Sequence, residues 1–151
     1  MTRVANWIDR EIAVGAHTMM IAAYGGAAEI RDESALLAGL DRARNLHAYG
    51  DPPPDIAALA AVYAGGIVLN HPFVDGNKRT GFILAALFIR WNGYDFTASE
   101  VDTVLWTLKL AARACEESDY AAWLRANMKK RKKTPAFKYP KPAAKKPKGK
   151  K

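Results

Sequence analysis

Within nine positions the chain gathers an imidazole, a carboxylate, a glycine, a carboxamide and two cations: His71-Pro72-Phe73-Val74-Asp75-Gly76-Asn77-Lys78-Arg79. Together these groups can hold a polyphosphate and move a proton beside it. Gly76 takes a positive φ at no steric cost, which lets successive backbone amides turn inward as an anion-binding nest. A helix starting near Lys78 points its free N–H groups and positive dipole end at the same place. Lys78 and Arg79 add charge, and an arginine grips phosphate oxygens in bidentate fashion. Asp75 is a hard oxygen ligand of the kind Mg²⁺ shares with nucleotide phosphates. His71 is the one group nearby that accepts a proton near neutral pH. Taken singly, each has an ordinary reading: Asp-Gly is a turn, His-Pro a helix end, and Lys-Arg a solvated helix start. Their order within one short segment is what assembles a site.

The elements that must position this loop read as helices. A first helix is expected over about Trp7–Tyr24, broken at Gly25-Gly26, and a second contains Leu36, Leu37 and Leu40. After Asp51-Pro52-Pro53-Pro54, Asp55 serves as N-cap of a very apolar helix ending near Asn70. Pro72 pushes His71 out of the helical region, and the next helix runs from about Lys78 to Trp91, stopped by Asn92-Gly93. Thr97-Ala98-Ser99-Glu100 reads as a capping box opening a helix to about Glu117, and a last short helix covers Tyr120–Met128. No strand alternation stands out. The expected fold is all-α, a bundle of about six helices, with the two apolar helices that flank the His71 loop at its centre. Phe73 is expected to anchor that loop in the core.

Charge divides the chain. Residues 129–151 carry eleven lysines, one arginine and no acid, whereas the first 128 residues hold eleven basic and fifteen acidic side chains. The chain therefore reads as one domain over 1–128 and a disordered Lys/Pro-rich tail over 129–151. The tail is an electrostatic footprint for non-specific contact with RNA, DNA or the ribosome, or else a solvated solubility tail. Cys115 is the single cysteine, no apolar run of membrane-spanning length occurs, and the N-terminus lacks a signal-peptide pattern. A cytoplasmic protein with no membrane contact is expected.

His71 to Arg79 resembles the signature of the Fic/Doc superfamily, His-x-Phe-x-(Asp/Glu)-Gly-Asn followed by a basic residue, and it is closest to the death-on-curing (Doc) branch of toxins from toxin–antitoxin pairs. Gly25-Gly26 with Ile30-Arg31-Asp32, the stretch Asn45–Gly50, and Asn92-Gly93-Tyr94 with Thr97–Glu100 extend the likeness over roughly residues 8–127. The resemblance implies a Fic/Doc fold with His71 as general base and Asp75 as the Mg²⁺ ligand. Gly76 and Asn77 would shape the anion pocket, and Lys78 and Arg79 would bind the phosphates of ATP or another nucleoside triphosphate.

Two departures bear on the reaction. Fic adenylyl transferases carry Gly after the Asn, and a second Arg three residues past the first; here those places hold Lys78 and Phe82. The Doc branch shares the Lys-Arg-Thr arrangement, and its founding member phosphorylates translation elongation factor Tu. The resemblance thus favours a kinase passing the γ-phosphate of ATP to a Ser or Thr of a protein, with elongation factor Tu as first candidate and translation as the process blocked. Gly76 stands where that founding member has Ala, so adenylyl transfer stays open as the alternative. A second alternative is a nucleic-acid-binding module with a non-catalytic body. No Glu in the chain is followed by Gly or Asn, so the family's inhibitory helix motif is missing and a separate antitoxin is the expected restraint. His17 reads as a partly buried, satisfied histidine; His47 sits before Asp51, within reach of the pocket mouth; Arg31 and Asp32 are either a docking flap or an ion pair.

Overall fold

A computed structural model describes residues 3–132. Six helices form the described body: α1 (Arg10–Tyr24), α2 (Glu33–Tyr49), α3 (Ile56–Val68), α4 (Asn77–Trp91), α5 (Glu100–Ala111) and α6 (Glu117–Ala126). This is the expected all-α bundle. Two three-residue strands accompany it, β1 (Tyr94–Phe96) after α4 and β2 (Met128–Lys130) after α6, paired antiparallel with Phe96 opposite Met128.

α3 is the axis of the molecule, packed against α2, α4 and α6, and every residue of it except Ala58 is buried. Its alanines and glycines let neighbours approach to backbone contact. A Cβ on Gly39 of α2 would lie 2.8 Å from the Gly66 carbonyl oxygen of α3, and a Cβ on Gly66 would meet Gly39 as closely. α4 is less central than its apolar sequence implies. Leu84, Ala85, Phe88 and Ile89 are buried, whereas Phe82, Ile83 and Leu87 are half-buried.

Most helix starts follow their capping residues. Asp9, Asp32 and Asp55 each accept the N3 amide of α1, α2 and α3. The expected Thr97 capping box does not form. Ser99 caps α5 through the Asp102 amide, and Thr97 instead donates its hydroxyl to the Asn127 carbonyl beside the β-ribbon. α5 also stops at Ala111 rather than near Glu117. Arg113 adopts φ 58°, its amide reaching Leu110 O and that of Ala114 reaching Lys109 O, a Schellman ending without the usual glycine. α6 begins three residues earlier than expected and ends at Ala126, because Met128 enters β2.

The β-ribbon moves the domain boundary. Lys129 and Lys130 belong to the folded body, opposite Asp95 and Tyr94, so the body does not end at residue 128. The rest of the expected disordered tail, from 133 on, lies outside the described residues. No helix among the described residues is long and apolar enough to cross a membrane.

Asp55 ties the start of the central helix to α6. Besides capping α3, its carboxylate receives Arg125 Nε at 2.7 Å and Nη2 at 3.0 Å. The guanidinium, opposed by partial burial and aided by the Ala58 amide, holds the Asp55 carboxyl below its ordinary 3.8. The stability so gained is complete at neutral pH and fades as pH falls through the carboxylate range. Asp55→Ala should destabilise the protein by about 1–2 kcal/mol at pH 7, mostly through the lost cap, since solvent screens the half-exposed ion pair. Thermal melts at pH 7 and pH 3 should show that deficit shrinking at the lower pH.

Candidate functional site

Eight residues, 69–76, join α3 to α4, and backbone contacts fix most of them. The His71 amide returns to Ile67 O of α3 at 3.1 Å, and His71 itself takes φ 49°, leaving the right-handed helical region that the following Pro72 disfavours. Phe73 is buried, and the Asn77 carboxamide clasps its backbone: Phe73 N–H donates to Asn77 Oδ1 at 3.0 Å and Asn77 Nδ2 donates to Phe73 O at 2.9 Å. From the other side the segment before α2 runs antiparallel to the loop. Val74 N–H donates to Glu29 O, and the Arg31 and Asp32 amides both donate to Pro72 O. The Arg31 guanidinium closes the clamp on His71 O at 2.7 Å and Asn70 O at 2.9 Å.

This architecture revises several sequence expectations. Asn77 is buried and spends its carboxamide on the loop, so it shapes the pocket by holding Phe73 in place. Arg31 and Asp32 form neither an ion pair nor a free flap; Arg31 clamps the loop and Asp32 caps α2. His47 lies in the last turn of α2 with its ring edge-on to Trp7 at 5.4 Å, and it does not line the cavity. His17 is buried more deeply than expected, stacked on Phe73 at 3.8 Å between centroids.

Gly76 starts α4 in the left-handed region, φ 81° and ψ 15°. Unlike α1, α2, α3 and α5, α4 receives no side-chain oxygen on its first amides, so its positive end faces the cavity uncapped. Lys78 and Arg79 project from that first turn, exposed, and the Arg79 guanidinium lies over the Tyr24 ring at 4.0 Å from its centroid. Asp75 is exposed beside them; its Oδ2 accepts the Ala27 amide at 2.8 Å, which turns the carboxylate without enclosing it.

His71, Asp75, Gly76, Asn77, Lys78 and Arg79 line one cavity of about 530 Å³. The opposite wall is α5, through Thr103, Val104, Thr107 and Leu108, residues the sequence did not mark. Their signal was present as two pairs spaced four apart on one helix face. Thr107 does not offer a free hydroxyl, because it hydrogen-bonds Tyr120 Oη at 3.0 Å. Burial pushes that phenol up to about 12 against the opposing pull of Thr107, so it stays protonated. Among the described residues no three His, Cys, Asp or Glu side chains converge on a metal position. One open carboxylate, Asp75, beside the uncapped start of α4 fits Mg²⁺, an ion bound through one or two carboxylates plus substrate phosphates.

A sequence model of the Fic/DOC family matches residues 7–89. The chain belongs to the Fic/DOC family. The match takes in α1 to α3, the whole His71–Arg79 loop and α4 as far as Ile89, and leaves the α5 wall outside it. Two relatives carry the Doc name. Toxin Doc of Mycolicibacterium smegmatis is 32% identical over 124 residues, covering 80% of this chain and 92% of the relative. Protein kinase doc of Escherichia phage P1 is 33% identical over 86 residues, covering 57% of this chain and 68% of the relative. The chain thus sits with the Doc branch of the family.

The Asn77 clasp supports the whole loop. Asn77→Ala leaves the buried Phe73 N–H and C=O without partners and should cost about 1–3 kcal/mol in a denaturant titration. Asn77→Asp keeps one acceptor for the Phe73 amide and should lose less.

Proposed function

We propose that this protein is a Doc-type toxin that transfers the γ-phosphate of ATP to a Ser or Thr hydroxyl of a protein. The observation that carries this reading is the character of the cavity wall at Lys78 and Phe82. These are the two places where adenylyl transferases of the family carry a glycine and a second arginine, and both side chains line the cavity. A lysine next to the α4 amides adds charge for a terminal phosphate, and Phe82 supplies no cation for a phosphate further along the chain.

In this reading the phosphates lie against the α4 amides with Lys78 and Arg79 on their oxygens. Tyr24 beneath Arg79 limits the wandering of the guanidinium. Asp75 would hold Mg²⁺, which would supply charge neutralisation for the transferring group. His71, fixed by Arg31 and Ile67 through its backbone, presents an exposed imidazole to the incoming hydroxyl. The imidazole takes the hydroxyl proton, the new O–Pγ bond forms, the bond from Pγ to the bridging oxygen breaks, and ADP leaves. Such chemistry depends mainly on positioning and charge, which a rigidly clamped loop supplies.

A protein with this activity acts in the cytoplasm and blocks translation if its target is elongation factor Tu, the first candidate. It also needs restraint by an antitoxin in trans. Val101, Val104, Leu105 and Leu108 expose an apolar face of α5 beside the cavity, a surface such a partner would cover. The basic segment from Lys129 onward adds non-specific affinity for RNA or the ribosome.

Mass spectrometry of elongation factor Tu and of lysate proteins, after incubation with the full chain, Mg²⁺ and ATP, tests the reaction. A gain of one phosphate on Ser or Thr that disappears with His71→Ala is the expected result. A gain of one AMP would establish adenylyl transfer instead, and no modification of any protein would count against a transferase.

A further inference from the structure

Beneath the catalytic loop lies a polar group that the proposed chemistry does not use. His17 of α1 is 1% exposed, and its ring lies flat on Phe73, with planes 7° apart. Its Nε2 is 2.7 Å from the carbonyl oxygen of Asp75. A carbonyl only accepts, so Nε2 carries the hydrogen and donates. A Cβ built on Gly76 would lie 3.5 Å from His17 Nε2 and Cδ2, which places the ring directly under the Asp75–Gly76 peptide.

The consequence follows from peptide geometry. In a trans peptide the C=O and the following N–H point in opposite directions within one plane. Holding the Asp75 carbonyl down onto a buried histidine therefore turns the Gly76 N–H away from the core. Gly76 lines the cavity, so that N–H faces the same space as the uncapped amides of α4. Glycine at φ 81° is free to rotate this plane, and nothing in its own side chain resists a flip. Asp75 feels the same constraint: its carbonyl is fixed by His17 and its carboxylate by the Ala27 amide.

We propose that His17 is a positioning residue for anion binding: its Nε2–H locks the Asp75–Gly76 peptide so that the Gly76 N–H donates to a bound phosphate. The inference deepens the nucleotide-binding reading of this site and rests on it. His17 touches no phosphate; it acts through the peptide plane.

The test separates the donor from the ring. His17→Gln keeps an amide N–H near the position of Nε2 and discards the stack, whereas His17→Phe keeps the stack and discards the donor. The full chain and each variant are titrated with inorganic pyrophosphate while the backbone amide resonances, Gly76 above all, are followed by NMR. Melting curves check that each variant is folded, and His17→Met serves as a second donor-free variant should the Phe variant not fold.

Pyrophosphate should shift the Gly76 amide in the wild-type chain and in His17→Gln. In the donor-free variant it should bind about tenfold or more weakly, the effect of one hydrogen bond to a charged group. Wild-type affinity in the donor-free variant would overturn the proposal. So would failure of a folded His17→Gln to retain the response, or an unshifted Gly76 in the wild type. The readout needs no protein target. An intact anion response with no phosphoryl transfer would therefore count against the reaction and leave the role of His17 standing.

Discussion

Two reciprocal hydrogen bonds between a buried carboxamide and a buried phenylalanine backbone hold the loop of this molecule in place. Asn77 is the first residue of α4, and by clasping Phe73 it ties the helix start to the loop that precedes it. With Phe73 pinned in the core, the chain between them has little choice of path. Between them Gly76 is left-handed, α4 begins without a side-chain cap, and Asp75 turns its carboxylate toward the Ala27 amide. The apolar side chain and the carboxamide thus do with packing and two bonds what a longer loop would need many contacts to do. The cost of breaking the clasp is high because both freed groups stay buried.

Around that clasp the molecule is arranged in shells of decreasing burial. α3 sits at the centre and brings α2 and α4 to backbone contact through small residues. The segment before α2 clamps the loop from above, and His17 supports it from below. The outermost groups, among them His71, Asp75, Lys78 and Arg79, are exposed. A rigid backbone is what electrostatic stabilisation of a phosphate requires, since fixed amides need no reorganisation when charge shifts.

Much of this was legible in the sequence, for physical reasons that differ by element. Asp55 was readable as a boundary because a capping carboxylate acts locally, and the apolar run of α3 declared a buried helix. The His71–Arg79 loop was readable because its side chains only make sense together. What stayed hidden depends on distant contacts or on backbone states that residue type does not reveal. Arg113 ends α5 in a conformation usually left to glycine, so the sequence carried no stop signal. The β-ribbon is three residues long, too short for alternation to show, and it draws Lys129 and Lys130 out of the basic segment into the body. Arg31 read as part of a docking flap or an ion pair because its actual partners, the carbonyls of Asn70 and His71, lie some forty positions along the chain.

The central claim is that the His71–Arg79 loop seats a nucleoside triphosphate with its terminal phosphate toward His71. A crystal structure of the full chain with Mg²⁺ and a non-hydrolysable ATP analogue addresses it directly. The expected density places the γ-phosphate against the first amides of α4, with Lys78 and Arg79 on its oxygens and Asp75 on the metal. An α-phosphate beside His71, or a nucleotide bound away from this loop, would contradict it.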